Sequence, residues 1–373
     1  MTYSSKLKKR NLRVKKLFTI IGISSILFLS GGCAQLAYYS QAAQGQMEVL
    51  AKAKPIEQVL MQPNADDNLK ARLKLVQEIR RFAVDELGLP DNGGYKKYAD
   101  LKRPYVLWNV VVTPELSLQP QQWCFLVAGC VSYRGYYNKD QAQHFAETMQ
   151  HKGKDVLVAG VPAYSTLGWF NDPVLSTFIH YSEAELARLI FHELAHQVVY
   201  IPGDTQFNES FATAVEEIGV TRWLNRFGNT TELNHFQQSQ KRRIAFITLL
   251  TEYRAKLEEN YASADSESVK RLKKSEIFQS LKAAYGVLKH EQWNDDTSYD
   301  AWFNRPLSNA HLALISTYFD LVPAFHRIWE EQNNFSHFYQ SVRQLAKLEK
   351  KKRRSQLAKL TTAQPISIQE SGQ

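Results

Sequence analysis

Residues 191 to 197, FHELAHQ, place two histidines four positions apart with a glutamate directly after the first. Imidazole nitrogens are good zinc ligands, and a carboxylate beside a metal can take a proton from water. On a helix each residue advances by about 100°, so His192 and His196 lie about 40° apart on one face, one turn from each other. Two imidazoles so placed chelate one ion. Glu193 falls on an adjoining face, unsuited to ligation but within reach of a water bound to that ion. A buried helix with two satisfied histidines carries the same letters, so the metal reading needs a third ligand.

Glu209 is that candidate, and with His192 and His196 it completes a His₂Glu set for one zinc per chain, leaving one position open, as catalytic rather than structural sites do. Thr213 and Glu216 follow Glu209 by four and seven residues on the same face, which suits groups that orient the ligating imidazoles. Glu193 is then the general base of a hydrolysis, and the oxyanion needs a donor besides the metal. Tyr318 is the first choice for that donor, with His311 and Tyr164 behind it.

The elements that position these residues are readable. Ser182 with Glu185 three residues on forms a capping box, and Pro202-Gly203 closes the far end of the histidine helix. QFNESFATAVEEIGVTRWLNRFG reads as a second helix ended by Gly228, and the short connection forces it back against the first. Ala212 lets the two backbones approach. Upstream, Leu73, Val76, Ile79, Ala83 and Leu87 fall at helical spacing within a helical hairpin from Pro55 to Leu89. YVLWNVVV, CFLVAGCVSYRGYY and DVLVAG read as strands, with a helix over Asp140–Gln150. From Tyr181 onward the chain is helical, apart from a weakly ordered stretch around Asn294–Arg305. The fold class expected is α+β and zincin-like: a small sheet, then a mainly helical half carrying the H-E-x-x-H helix and a second, glutamate-bearing helix. Ser165 to Phe170 can pair with extended substrate as an edge strand, or can be a packed loop whose Trp169 and Phe170 fill the core.

HELAHQ followed by NESFATAVE resembles the gluzincin pattern of the aminopeptidase N family, HELAHQ with NEGFA-x-x-x-E, at a shorter spacing. CFLVAGCVSYRGYY, GVPAYSTLGWFNDP, FHELAHQVVY, NESFATAVEE and SNAHLALISTYFDLVPAF together resemble a family of bacterial lipoprotein aminopeptidases, from roughly Cys33 to about residue 345. The resemblance implies that His192, His196 and Glu209 ligate zinc and that Glu193 is the general base. The chain lacks the G-x-M-E-N stretch with which aminopeptidase N enzymes hold a free amine, so peptidase is the firmer word and aminopeptidase the finer one. Two further readings use the same residues: an inactive scaffold serving envelope assembly, and a zinc amidase acting on cell-wall peptide.

The N-terminus sets the compartment. Seven Lys and Arg within the first 16 residues precede the apolar run LFTIIGISSILFLS, an export signal too short for a comfortable span. LSGGC resembles a lipobox, which makes 1–32 a signal peptide and Cys33 the acylated first residue, tethering the chain to the membrane. Ala34 after it points to the periplasmic face of a bacterial outer membrane. Residues 33–50 are expected as a tether, 51–360 as a single peptidase domain (51–90 hairpin, 91–180 sheet region, 181–360 helical half), and 361–373 as a disordered tail. Without residues 1–32 the chain carries 39 basic against 37 acidic side chains, and no nucleic-acid partner is implied. The basic run Lys347–Lys359 reads as a solvated helix end. Cys124 and Cys130, close in sequence in an oxidising compartment, are expected to form a disulfide.

Overall fold

The computed structural model describes residues 36–125, 129–166, 169–228, 230–313 and 321–362. Residues 1–35, with Cys33 among them, Tyr318, and residues 363–373 lie outside them. The chain divides into two compact units, Met1–Ala51 and Lys52–Gln373. Residues 36–52 form a helix, α1, where a tether was expected; Ala, Gln, Met, Leu and Glu dominate there and are strong helix formers, with Gly45 the one weak point. No described helix is long and apolar enough to cross a membrane.

In the second unit the expected helical hairpin is a short helix α2 (Ile56–Leu60) and a long one, α3 (Asp67–Asp85). Asp66 caps α3 by accepting from Leu69 N at 2.9 Å, and Leu73, Val76, Ile79 and Ala83 are fully buried. Three short strands, β1 (Lys54–Pro55), β2 (Lys97–Ala99) and, after the main sheet, β8 (Val174–Leu175), form one small sheet in the order β1-β2-β8.

The main sheet has β3 (Leu107–Pro114) in the middle, flanked by β6 (Arg134–Tyr136) and β7 (Lys154–Val161), all antiparallel. Helix α4 (Lys139–His151) and helix α10 (Asn309–Leu312) cover its two faces. Tyr136, opposite Trp108, packs its ring 5.7 Å from Phe145 of α4. Val111, on the other face, clusters with Ala310 and Ala313. This double cover explains why β3 reads as an almost unbroken apolar run. Strands β4 (Trp123–Phe125) and β5 (Gly129–Val131) make a separate hairpin in which Cys124 and Cys130 lie opposite each other and are disulfide-bonded.

The helical half is built on α5 (Glu183–Ala195) and α6 (Thr205–Phe227), which pack antiparallel: Trp223 Nε1 near the end of α6 donates to Glu183 Oε1 at the start of α5, at 2.8 Å. Gly219 permits the contact, since a Cβ there would lie 2.8 Å from Phe191 and from Leu87. Helices α7 (Thr230–Ala262) and α8 (Glu267–Gln292) form a long hairpin beside them. The stretch around Asn294–Arg305, expected to be weakly ordered, instead carries helix α9 (Asp300–Phe303), and Trp293 and Phe303 are buried in an aromatic cluster where Phe303 stacks on Tyr285 at 3.8 Å. Three further helices follow among the described residues: α11 (Val322–Gln332), α12 (Phe335–Ala346) and α13 (Lys350–Thr362).

Candidate metal centre

Ser182 caps α5, its hydroxyl accepting from Glu185 N at 3.3 Å. The helix ends at Ala195 rather than continuing to Pro202. Val198 N bonds to Ala195 O at 2.9 Å and Gln197 N to Leu194 O at 3.1 Å, tightening the last turn. His196 is thus the C-cap, yet it keeps right-handed helical angles (φ −57°, ψ −22°) and its N–H still reaches His192 O at 3.3 Å, so the one-turn relation of the two rings survives. The chain then reverses through a fastened turn. Asn208 accepts from Ile201 N at 2.8 Å and donates to Ile201 O at 2.9 Å, while Asp204 caps α6. The disulfide hairpin packs on this turn: a Cβ on Gly129, at φ +72°, would lie 2.7 Å from Gly203 N.

This reversal carries Glu209, in the second turn of α6, to the histidines. His192 Nε2 and His196 Nε2 are 3.1 Å apart, Glu209 Oε2 is 3.3 Å from the first, and Glu209 Oε1 is 3.8 Å from the second. Ligands about 2.0–2.1 Å from a tetrahedral zinc lie about 3.3 Å from one another, so the three groups fit one ion with little movement. They are the group among the described residues able to hold a metal.

Behind the ligands is a buried carboxylate. Glu216 Oε2 accepts from His192 Nδ1 at 2.7 Å, which fixes the proton on Nδ1 and leaves the Nε2 lone pair for a metal. Glu216 Oε1 in turn accepts from Arg188 Nη1 at 3.2 Å and Arg243 Nη1 at 2.9 Å. Burial alone would raise the Glu216 carboxyl; the two guanidiniums and His192 overcome it and hold the group well below the usual range. For His192 burial opposes charge, but Glu216 and Glu209 outweigh it and raise the ring to about 10. Among the described residues His196 has no such partner behind it, and burial pushes it down to about 4. The Glu209 carboxyl, which burial would raise, is lowered instead by His196 and His192.

Glu193 is half-buried. Burial pushes its carboxyl up to about 7; His192 opposes the rise, and Glu209, Asp172 and Glu216 add to it. The side chain makes no ion pair with a basic residue of the described chain, as a base that must take up a proton requires.

Among the described residues, no bond joins the other expected side chains to the three-residue cluster. Thr213 is buried on α6 and makes no hydrogen bond to either imidazole. His311 accepts from Ser308 N through Nδ1 at 3.1 Å, a helix-capping contact. Tyr164 accepts from Tyr137 OH at 2.7 Å. The described part of Ser165 to Phe170 is neither strand nor packed core: Trp169 is 68% exposed and Phe170 47%, and Thr166 ties the loop to Asp172, at 2.8 Å from both its N–H and its hydroxyl. Sequence reasoning missed Arg188 and Arg243. Arg188 precedes His192 by one helical turn and was findable on that signal; Arg243 comes from α7 and had none.

An α+β protein with two antiparallel helices closing around a His₂Glu cluster is the class that fold and site define. Residues 37–357 match the family described as "Putative aminopeptidase", and the chain belongs to that family. No curated protein and no solved structure was found to match it.

Proposed function

We propose that this chain is a zinc-dependent peptidase of zincin type, releasing residues from the free amino end of peptides. The observation that carries the reading is the convergence of His192 Nε2, His196 Nε2 and the Glu209 carboxylate at 3.1, 3.3 and 3.8 Å, an imidazole and carboxylate set with the spacing of zinc ligands. A zinc ion held by His192, His196 and Glu209 would supply Lewis acidity for the attack of water on a peptide carbonyl. Glu193 takes the proton of the attacking water on its carboxylate and returns it to the departing amine. Glu216 holds the Nδ1 proton of His192 throughout, kept ionised by Arg188 and Arg243.

The same reading anchors the chain by an acylated Cys33 in the bacterial envelope, on the strength of the basic segment, the short apolar run and LSGGC. The experiment is to load the protein with zinc and assay it on a peptide library with free and blocked N-termini. One zinc per chain and cleavage restricted to free ends are expected. Cleavage of blocked peptides would replace exo- by endo-action, and bound zinc with no cleavage at all would leave a binding scaffold. Detergent partitioning of wild type against Cys33→Ala tests the anchor, which fails if both stay in the aqueous phase.

A further inference from the structure

We propose that Tyr95 is a catalytic residue, its phenol donating a hydrogen bond to the oxygen of the scissile carbonyl as that oxygen gains negative charge. This rests on the peptidase reading above.

Tyr95 belongs to the loop Asp91-Asn92-Gly93-Gly94-Tyr95 and sits at φ +58°, a left-handed conformation that a bulky aromatic residue rarely adopts. Such strain persists where surrounding structure imposes it, and here it does. Arg80 donates from Nε to Gly94 O at 2.7 Å, from Nη2 to Asp91 Oδ1 at 2.9 Å, and to Asn92 O. Gly94 N donates to Asn92 Oδ1 at 2.9 Å, and Tyr95 N donates to Asp172 O at 2.7 Å. Gly93 admits no side chain, since Asn171 lies 2.2 Å from where its Cβ would be.

The loop so held lies along the catalytic side of α5. Asn92 Nδ2 donates to Gln197 Oε1, and the space beside Gly94 is filled by Gln197 at 3.8 Å and Leu194 at 3.9 Å. Gln197 follows Glu193 by one turn, so the loop runs beside the general base.

The Tyr95 side chain is only 2% exposed. Buried tyrosines normally give their hydroxyl a partner, and others in this chain do: Tyr339 donates to Leu87 O at 2.8 Å and Tyr261 to Asn309 Oδ1 at 2.7 Å. The Tyr95 hydroxyl has no partner among the described residues, and it is not one of the sealed, unsatisfied atoms. The loop neighbours of Tyr95 pack on Leu194 and Gln197, which lie next to Glu193 and one turn beyond it, and the phenol lies within electrostatic reach of the Glu193 carboxylate, so a substrate oxygen bound there is the acceptor we assign to it. Burial first, and then the carboxylates of Glu193 and Asp172, hold the phenol well above the usual tyrosine range, so it keeps its proton and acts as donor only.

The test compares zinc-loaded wild type with Tyr95→Phe on a peptide the parent cleaves. Because the hydroxyl bonds to nothing in the described protein, the variant should keep its zinc, its melting temperature and its KM. Its kcat should fall about 100-fold, the scale of one lost oxyanion donor. Calorimetry with a phosphinic peptide, a tetrahedral mimic, should show a similar loss of affinity, with the matching unreactive amide peptide bound as before. An unchanged kcat, or equal weakening of both ligands, overturns the assignment. If the parent cleaves nothing, the peptidase reading itself fails and this one falls with it.

Discussion

Glu193 follows His192, a candidate metal ligand, with its carboxyl pushed up to about 7 by burial, and that position has two measurable consequences of opposite sign. For catalysis the carboxylate is the group that would take the proton of the attacking water. Glu193→Gln keeps the shape and removes the basicity, so zinc content and fold should persist while kcat falls 10²- to 10⁴-fold, roughly 3–5 kcal/mol of barrier. Parent-like turnover in this variant would locate the activity elsewhere. For stability the same carboxylate is a burden. Its folded pKa is raised from 4.5, so between about 4.5 and 7 the folded state binds the proton more tightly than the unfolded state, and stability falls as pH rises through that window. In protein stripped of metal, Glu193→Gln should therefore melt above the parent at pH 8, by roughly 1–3 kcal/mol after discounting for partial exposure, with the gap closing near pH 4.5. His196, pushed down to about 4, gives both proteins the reverse trend, so their difference isolates Glu193. Equal melting at pH 8 would show that the carboxylate is not held in the setting described.

At the scale of elements, the helix pair α5 and α6 does more than bring three ligands together. Glu216 grips His192 from one side and Arg188 and Arg243 from the other, and those arginines also line a cavity, with Glu185, Phe246 and Tyr299, on the side of Glu216 away from the ligands. Glu216→Gln should weaken zinc about 10- to 100-fold, since the amide holds the Nδ1 proton less strongly and leaves two guanidiniums without their acceptor. Arg243→Met should cost less, because Arg188 remains. Competition with a chromophoric chelator reads both, and an unchanged zinc affinity in Glu216→Gln would remove the carboxylate from the site's support. How much of this was legible follows from how local each signal is. His192, Glu193 and His196 are read from one turn of helix, and Glu209 with Glu216 from two turns of the next. A helical wheel gives the face but not the reach, which is why Thr213 shares the face and hydrogen-bonds to neither ring. Arg243 arrives from a third helix whose docking no local pattern encodes, and Tyr95 adopts a backbone conformation that sequence patterns assign to glycine.

Across the whole molecule the last described helix, α13, returns to the turn that precedes the candidate metal centre. The run Lys347–Lys359 reads as a solvated helix end, and most of its charges are solvated, but Arg353 is only 3% exposed. Spaced four apart, Arg353 and Leu357 form the buried stripe of an otherwise polar helix α13, too short a pattern to stand out among so many basic residues. Arg353 donates to Asp204 Oδ2 at 2.6 Å from Nη2 and 3.1 Å from Nε, and Arg354 adds a contact to Oδ1. Asp204 is the N-cap of α6, one turn before Glu209, so the C-terminal helix clamps the start of the ligand helix. Asp204→Ala removes the cap, worth about 1 kcal/mol, and strands a buried guanidinium, which costs about 3–5 kcal/mol. Arg353→Met leaves Asp204 with its cap and Arg354, so it should lose less, and the double variant should lose less than the sum of the two because no charge is then stranded. Urea unfolding measures all three. Zinc affinity should fall with Asp204→Ala as the first turn of α6, which leads into Glu209, loosens. If Asp204→Ala unfolds at the parent's urea concentration and keeps the parent's zinc affinity, the clamp contributes nothing; if it unfolds early while zinc binding is unchanged, the clamp serves the fold and not the site.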